Sequence, residues 1–278
     1  MTRLFLLAAT ALFVPAAVFA QNAAPATTAA APSAAPSAPA LCTDRPNKAT
    51  SACTVPRAMV QFESDIVNWT RNSDSGVRTD VILYSSPMLK YGLTSSTDVE
   101  ASITPYETIV TRDPSGRSKI SGVGDFYLRV KQRLTAPDAK AQFAIIPYVK
   151  IPTAKLGIGN RKVEGGIVGT GVFSLPDGFS LTVTPEVDAL LDSDGHGHHA
   201  QFVGALNVSK TLSSKLTASV ELWSAQNQDP AGHVGQYSAD FALAYLAGPT
   251  LQLDAGTNIG LNRATPDVQA YAGISTRF

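Results

Sequence analysis

Apolar and polar side chains that alternate over ten or more residues, again and again, leave a chain few folds to choose from. The C-terminal segment shows the pattern most plainly: Val268, Ala270, Ala272, Ile274, Thr276 and Phe278 fall on one face of an extended chain. Gln269, Tyr271, Gly273, Ser275 and Arg277 fall on the other. Period two marks a β-strand with one apolar and one polar side. The same alternation opposes Leu251, Leu253, Ala255, Thr257, Ile259 and Leu261 to Gln252, Asp254, Gly256, Asn258 and Gly260. It recurs between Phe126 and Leu134, Phe179 and Leu190, and Leu216 and Trp223. No helical period emerges after Met59.

The breaks in this pattern predict about twelve strands, near 58–70, 77–86, 95–110, 120–135, 140–153, 163–174, 178–191, 200–211, 214–224, 236–247, 249–261 and 267–278. Most reach the ~9–11 residues a tilted strand needs to cross a bilayer, whereas strands of soluble sandwiches are nearer ~5–6. The even-numbered links (87–94, 136–139, 175–177, 212–213 and 248) are mostly tight, and the odd-numbered ones include the longer 154–162, 192–199 and 225–235. Short periplasmic turns and longer outer loops give that rhythm. The short first link, 71–76, and the long second one are exceptions.

Strands with one lipid-compatible face must close on themselves, because an unpaired backbone N–H or C=O finds no partner in hydrocarbon. The expected fold is all-β: a closed antiparallel transmembrane β-barrel spanning residues 58–278. Its polar faces would line the lumen with Asp125, Tyr127, Arg129, Lys131, Arg133, Tyr148, Lys150, Glu186, Asp188, Glu221, Trp223, Asp240, Asp254, Tyr271 and Arg277. Both charge signs occur there, so a narrow mixed-charge interior is expected. Other aromatics near strand ends (Trp69, Tyr84, Tyr106, Tyr237 and Tyr245) suit an interfacial girdle. A secreted soluble β-sandwich is the competing fold.

The N-terminus reads as an address. Arg3 precedes an apolar run from Leu4 to Val14 broken by Pro15, and Val18 and Ala20 occupy small-residue positions before a cut after residue 20. This is the plan of a cleavable export signal rather than a retained anchor. Residues 21–41 are nearly all Ala, Pro, Thr and Ser, a linker composition with little to bury. Cys42 and Cys53, the only cysteines, open a pre-barrel segment at 42–57. After export a disulfide suits them better than a metal pair or free thiols. Their segment, rich in Pro and Cys ahead of the first strand, is a candidate lumen plug.

Lys+Arg and Asp+Glu each number 22, and that balance removes the electrostatic basis for nucleic-acid binding. The loop Asp192-Ser193-Asp194-Gly195-His196-Gly197-His198-His199 carries imidazoles able to ligate Zn or Cu. Its Gly-rich backbone does not preorganise a site, so the expected metal assignment is none, with His196, His198 and His199 a weak candidate. The run Gly165–Gly171 has no following helix and no Lys-Ser/Thr pair, so it fits strand kinks rather than a phosphate cradle. No cofactor and no catalytic residue is expected.

Two segments resemble the phenol-degradation meta-pathway family of outer-membrane proteins. One runs Thr43-Asp44-Arg45-Pro46, then Val55-Pro56, then Gln61-Phe62-Glu63. The other runs from Leu251 to Gly256, through Gly260-Leu261-Asn262 and Pro266-Asp267, to Phe278. The Cys pair departs from that pattern, as does Arg57 after Val-Pro. Over residues 43–278 the resemblance implies an outer-membrane barrel that passes small, aromatic or hydrophobic solutes, with outer-membrane lipid around it. The terminal Phe278 resembles the signature read by the barrel-assembly machinery. Two alternatives remain: a structural or adhesion barrel acting through its outer loops, and an outer-membrane hydrolase.

Overall fold

The computed structural model describes residues 40–278; the expected export signal and all but the end of the linker lie outside them. Fifteen β-segments follow in order: β1 (Val60–Asp74), β2 (Val77–Ser85), β3 (Met88–Gly92), β4 (Thr97–Ile103), β5 (Tyr106–Asp113), β6 (Gly116–Gly122), β7 (Phe126–Arg133), β8 (Ala141–Ile151), β9 (Glu164–Ser174), β10 (Phe179–Leu191), β11 (His198–Thr211), β12 (Leu216–Asn227), β13 (Val234–Gly248), β14 (Leu251–Gly260) and β15 (Val268–Arg277). Neighbours pair antiparallel, and β15 returns to β1 from Gln61↔Arg277 to Arg71↔Val268. The sheet is a closed barrel.

Fifteen segments make twelve spans, because three spans are interrupted. β2 and β3 flank Ser86–Pro87, β4 and β5 flank Thr104–Pro105, and β6 and β7 flank Val123–Asp125. Proline has no N–H to give a ladder, so it sits where pairing pauses. The pauses lie side by side: Ser85 pairs Tyr106 above them while Met88 pairs Ser102 below, and Glu107 pairs Gly122 above while Ile103 pairs Phe126 below. β1 carries a bulge at the same height, between Asp65 and Val67, and bulges bend their strand. A seam therefore crosses four adjacent spans.

Three expected boundaries need correction. The link expected at 87–94 contains β3, which pairs with both β1 and β4, so the turn shrinks to residues 93–96. Pro87 interrupts that strand without ending it. The first and third links also shrink, to Ser75–Gly76 and Pro114–Ser115, since β1 runs to Asp74 and β5 to Asp113. Positive φ at Ser75 (51°) and Gly76 (83°) suits so tight a hairpin. Arg71, Asn72 and Ser73 break the alternation because both faces are polar at that end of the strand.

Elsewhere the two faces separate as expected. Leu128, Ile145, Phe202, Leu222 and Leu243 point outward and are exposed, while their strand neighbours Lys131, Ala144, Ala205, Glu221 and Ala242 are buried. One wall is incomplete. β6 pairs only with β5, because β8 ends at Ile151 and the chain turns into residues 152–163. That loop folds back on the foot of β6: the Lys155 N–H donates to the Val123 carbonyl (3.0 Å) and its Nζ to the Ser121 carbonyl (2.8 Å).

Candidate functional site

Inside the barrel lies the segment that precedes β1. A disulfide joins Cys42 to Cys53, with Cα atoms 5.7 Å apart, and closes the segment into a loop. The loop is held by the wall through ion pairs and hydrogen bonds rather than by joining the sheet. A charge taken out of water needs a partner, and here each charged side chain of the loop finds one.

Asp44 is the first anchor. Its carboxylate accepts from Lys131 Nζ at 2.7 and 2.8 Å and from Lys90 Nζ. Both lysines are fully buried, and Lys90 also meets Glu63 (2.6 Å) while Lys131 meets Glu100 (3.3 Å). Burial by itself disfavours the charged form of Asp44. The Lys131 and Lys90 ammonium groups outweigh it and hold the carboxyl well below its ordinary range. Arg45 is the second anchor, forking between Asp65 (2.5 Å) and Asp254 (2.7 Å). Burial works against its charge too, but the hydrogen bond it donates to Asp254 and the field of Asp65 raise its proton affinity. Lys48 forms the third, 3.0 Å from Asp240, 2.7 Å from Ser238 Oγ, and 4.3 Å from the ring centre of Trp223.

The loop's backbone is satisfied by the wall as well. Glu221 accepts the N–H groups of Lys48 (3.0 Å) and Ala49 (2.9 Å), and Asp98 accepts that of Val55 (2.7 Å). Gln61 accepts the Cys42 N–H (3.2 Å) and donates to its carbonyl (2.6 Å). At Gly92 the contact is so close that a Cβ would overlap the Pro56 carbonyl.

The remaining residues read from the sequence as lumen-facing sort into groups. Asp125, Lys150 and Glu164 form a chain near loop 152–163, with Lys150 3.5 and 2.5 Å from the two acids. Tyr127 and Tyr148 place their ring centres 6.3 Å apart; Arg129 lies over Tyr148, whose hydroxyl donates to Asp188 at 2.6 Å. Glu186, two residues before Asp188, is half-buried on β10. Tyr271 lies beneath Arg45, 5.9 Å from ring centre to guanidinium. Arg133 donates to the Ser95 carbonyl (2.5 Å) and Arg277 to the Ala40 carbonyl (2.6 Å), both near the end where the chain enters. Phe278 is exposed at that rim, its N–H bonded to the Val60 carbonyl.

Two voids flank the loop. One, about 300 Å³, is lined by Asp44, Arg45, Glu63, Ser86, Thr104, Asp125, Tyr127 and Arg129, so it lies between the loop and the wall seam. The other, about 250 Å³, is lined by Lys48, Thr70, Trp223, Ser238, Asn258 and Gln269.

The histidine loop is used differently. His199 Nδ1 lies 2.9 Å from Asp192 and 3.8 Å from Asp229, and His198 Nε2 lies 3.3 Å from the Val163 carbonyl. His196 offers its backbone N–H to Asp194. Among the described residues no three His, Cys, Asp or Glu side chains converge as a metal site. Hydrogen bonds from the backbone of Ala231 and from Ser193 lower the proton affinity of Asp229, helped by His199.

Lys90, Glu63, Glu100, Asp98, Asp65 and Lys48 belong to the site but escaped the sequence reading. The link expected at 87–94 places Lys90 in a turn. A usable signal existed in the inward alternation Met88, Lys90, Gly92, hidden behind Pro87.

A family profile described as the MetA-pathway of phenol degradation matches residues 43–278, a stretch that takes in both the anchored loop and the whole wall. The chain belongs to this family. This MetA-pathway family member is a closed β-barrel, and solved structures share its fold. An outer-membrane channel from Pseudomonas putida F1 superposes with a TM-score of 0.63 at 13% identity, covering 81% of this chain and 97% of that one. The β-domain of the Bordetella autotransporter BrkA gives 0.52 at 14%, covering 80% and 100%. No curated protein sequence matches. At such identities the structural likenesses speak for the MetA-pathway fold alone.

Proposed function

We propose that this barrel is a passive channel for small, aromatic or hydrophobic solutes, closed at rest by the disulfide-bonded loop 42–57. The observation that carries the reading is the way the loop is held. Its ties to the wall are side-chain ion pairs and hydrogen bonds to Lys90, Lys131, Asp254, Asp240 and Glu221, contacts that can break and reform without disturbing the ladder. Voids on either side of it have the dimensions of a small solute.

Aromatic faces supply the preference. Tyr127 lines the first void with Tyr148 packed behind it, and Trp223 lines the second; stacking on such rings does not depend on a solute's hydrogen-bonding pattern. Phenol, named in the family's description, is a small aromatic of the kind this lining suits. Around the barrel the partner is outer-membrane lipid, and Phe278, exposed beside β1, is the recognition point for assembly.

Solute flux into liposomes tests the reading. Phenol-sized aromatics should enter faster than sugars of similar volume, and Tyr127→Ala with Tyr148→Ala should narrow that difference. Equal rates for both classes, or no flux above protein-free liposomes even after the loop is released, would overturn the assignment.

A further inference from the structure

The outer wall of the first spans carries a cluster of charged side chains away from the lumen. Thr70 lines the inner void, so alternation turns Trp69 and Arg71 outward. Directly paired residues share a face, and the ladder carries this face across the sheet: Arg71↔Asp80, Asp80↔Val110 with Arg78↔Arg112, then Arg112↔Arg117 and Val110↔Lys119. Five cations thus share one outward face with a single carboxylate. Asp74, Glu107 and Asp113 fall by alternation on the other face.

Asp80 organises this patch. It accepts from Arg71 Nε (2.9 Å), Arg78 Nε (3.0 Å), Arg112 Nη1 (2.7 Å) and Trp69 Nε1 (3.1 Å). Four donors saturate the carboxylate's acceptor sites, while each guanidinium has five N–H groups and commits one. The Arg71 guanidinium also lies 4.6 Å from the Trp69 ring centre, which fixes its orientation. Arg117 and Lys119 are exposed on β6.

The depth of the patch follows from a separate fact. β6 has no partner on its far side, and an open edge cannot stand in hydrocarbon. These strands therefore rise into the headgroup layer. Exposed Tyr84 and Tyr106, with ring centres 5.5 Å apart, sit one step lower, where interfacial aromatics belong.

We infer that the outward face of β1, β2, β5 and β6 binds the phosphate groups of an anionic lipid headgroup in the outer leaflet, of the phosphorylated glycolipid class. Guanidinium forks match phosphate oxygens in pairs, and three forks aimed by one carboxylate with two further cations beside them make a multidentate seat. The acyl chains would run down the exposed apolar wall below.

Native mass spectrometry of the purified barrel in non-ionic detergent tests this with bis-phosphorylated lipid A, dephosphorylated lipid A and inorganic pyrophosphate. Wild-type protein should hold bis-phosphorylated lipid A about tenfold or more tighter than the dephosphorylated form, and R117Q/K119Q, which leaves Asp80 untouched, should lose about tenfold. R78Q/R112Q should lose at least as much. Unaltered heat-shifted migration on gels shows that each variant barrel is folded. Equal binding of dephosphorylated lipid, or unchanged affinity in R117Q/K119Q, overturns the proposal. Pyrophosphate binding as tightly as lipid A overturns it too, in favour of a soluble-anion site.

Discussion

Lys131 reaches Asp44 through its Nζ at 2.7 and 2.8 Å from the two carboxylate oxygens, joining a strand of the wall to a residue 87 positions earlier in the chain. Lys90 approaches the same carboxylate from two spans away around the wall. Two buried lysines of the wall thus converge on one acid of the loop.

Asp44→Asn should therefore loosen the loop without unfolding the barrel. Removing one partner of a buried pair costs about 3–5 kcal/mol because the other charge stays buried, although Glu63 and Glu100 soften the loss here. Higher mean conductance in planar bilayers and faster proteolysis within 42–57 are the expected outcomes. A variant as quiet as wild type would show that the other anchors suffice.

Acid should act on the same contact late. The folded carboxyl of Asp44 lies below its ordinary 3.8, so its contribution to docking is complete above that value and fades only as pH falls through the lower folded one. Between pH 7 and pH 5, wild type and D44N should show parallel conductance changes. Acid opening in that window present in wild type and absent in D44N would contradict the assignment.

Reduction of Cys42–Cys53 tests how far the loop depends on its own closure. Cross-linking so short a loop removes about 2–3 kcal/mol of chain entropy from the undocked state. Dithiothreitol, or the double Cys→Ser variant, should increase current fluctuations while leaving the barrel's heat-shifted gel migration intact. A collapse of that migration would mean that the loop is needed for the wall itself.

Gly92→Ala probes the closest approach between loop and wall. The added methyl would overlap the Pro56 carbonyl, and overpacking against backbone typically costs about 1–3 kcal/mol. Amide exchange at Val55 and Ala58 should rise, the former losing Asp98 and the latter the Gly92 carbonyl. Gly248→Ala, with open space around it and no positive φ, serves as the contrast for steric effects.

The barrel was legible because its physics is periodic. From β7 to β15 alternation separates the two faces of each strand, and Tyr148, Glu221, Asp240 and Asp254 belong to the polar phase. The first four spans were harder to delimit. The interruption at Pro87 looks like a strand end in a single chain, whereas the one at Pro105 lies unmarked inside the strand expected at 95–110, and only pairing with neighbours reveals both. Asp44, Arg45 and Lys48 were visible as residues, but their partners lie up to 209 positions away, and no local rule connects them. The Asp80 cluster was hidden for a related reason: Arg71 and Arg112 look like loop polarity until the ladder aligns them.

The Phe278 N–H and the Val60 carbonyl, 2.9 Å apart, join the end of β15 to the start of β1. Below the seam the wall is therefore a hoop, with no terminal strand left over for another chain to extend.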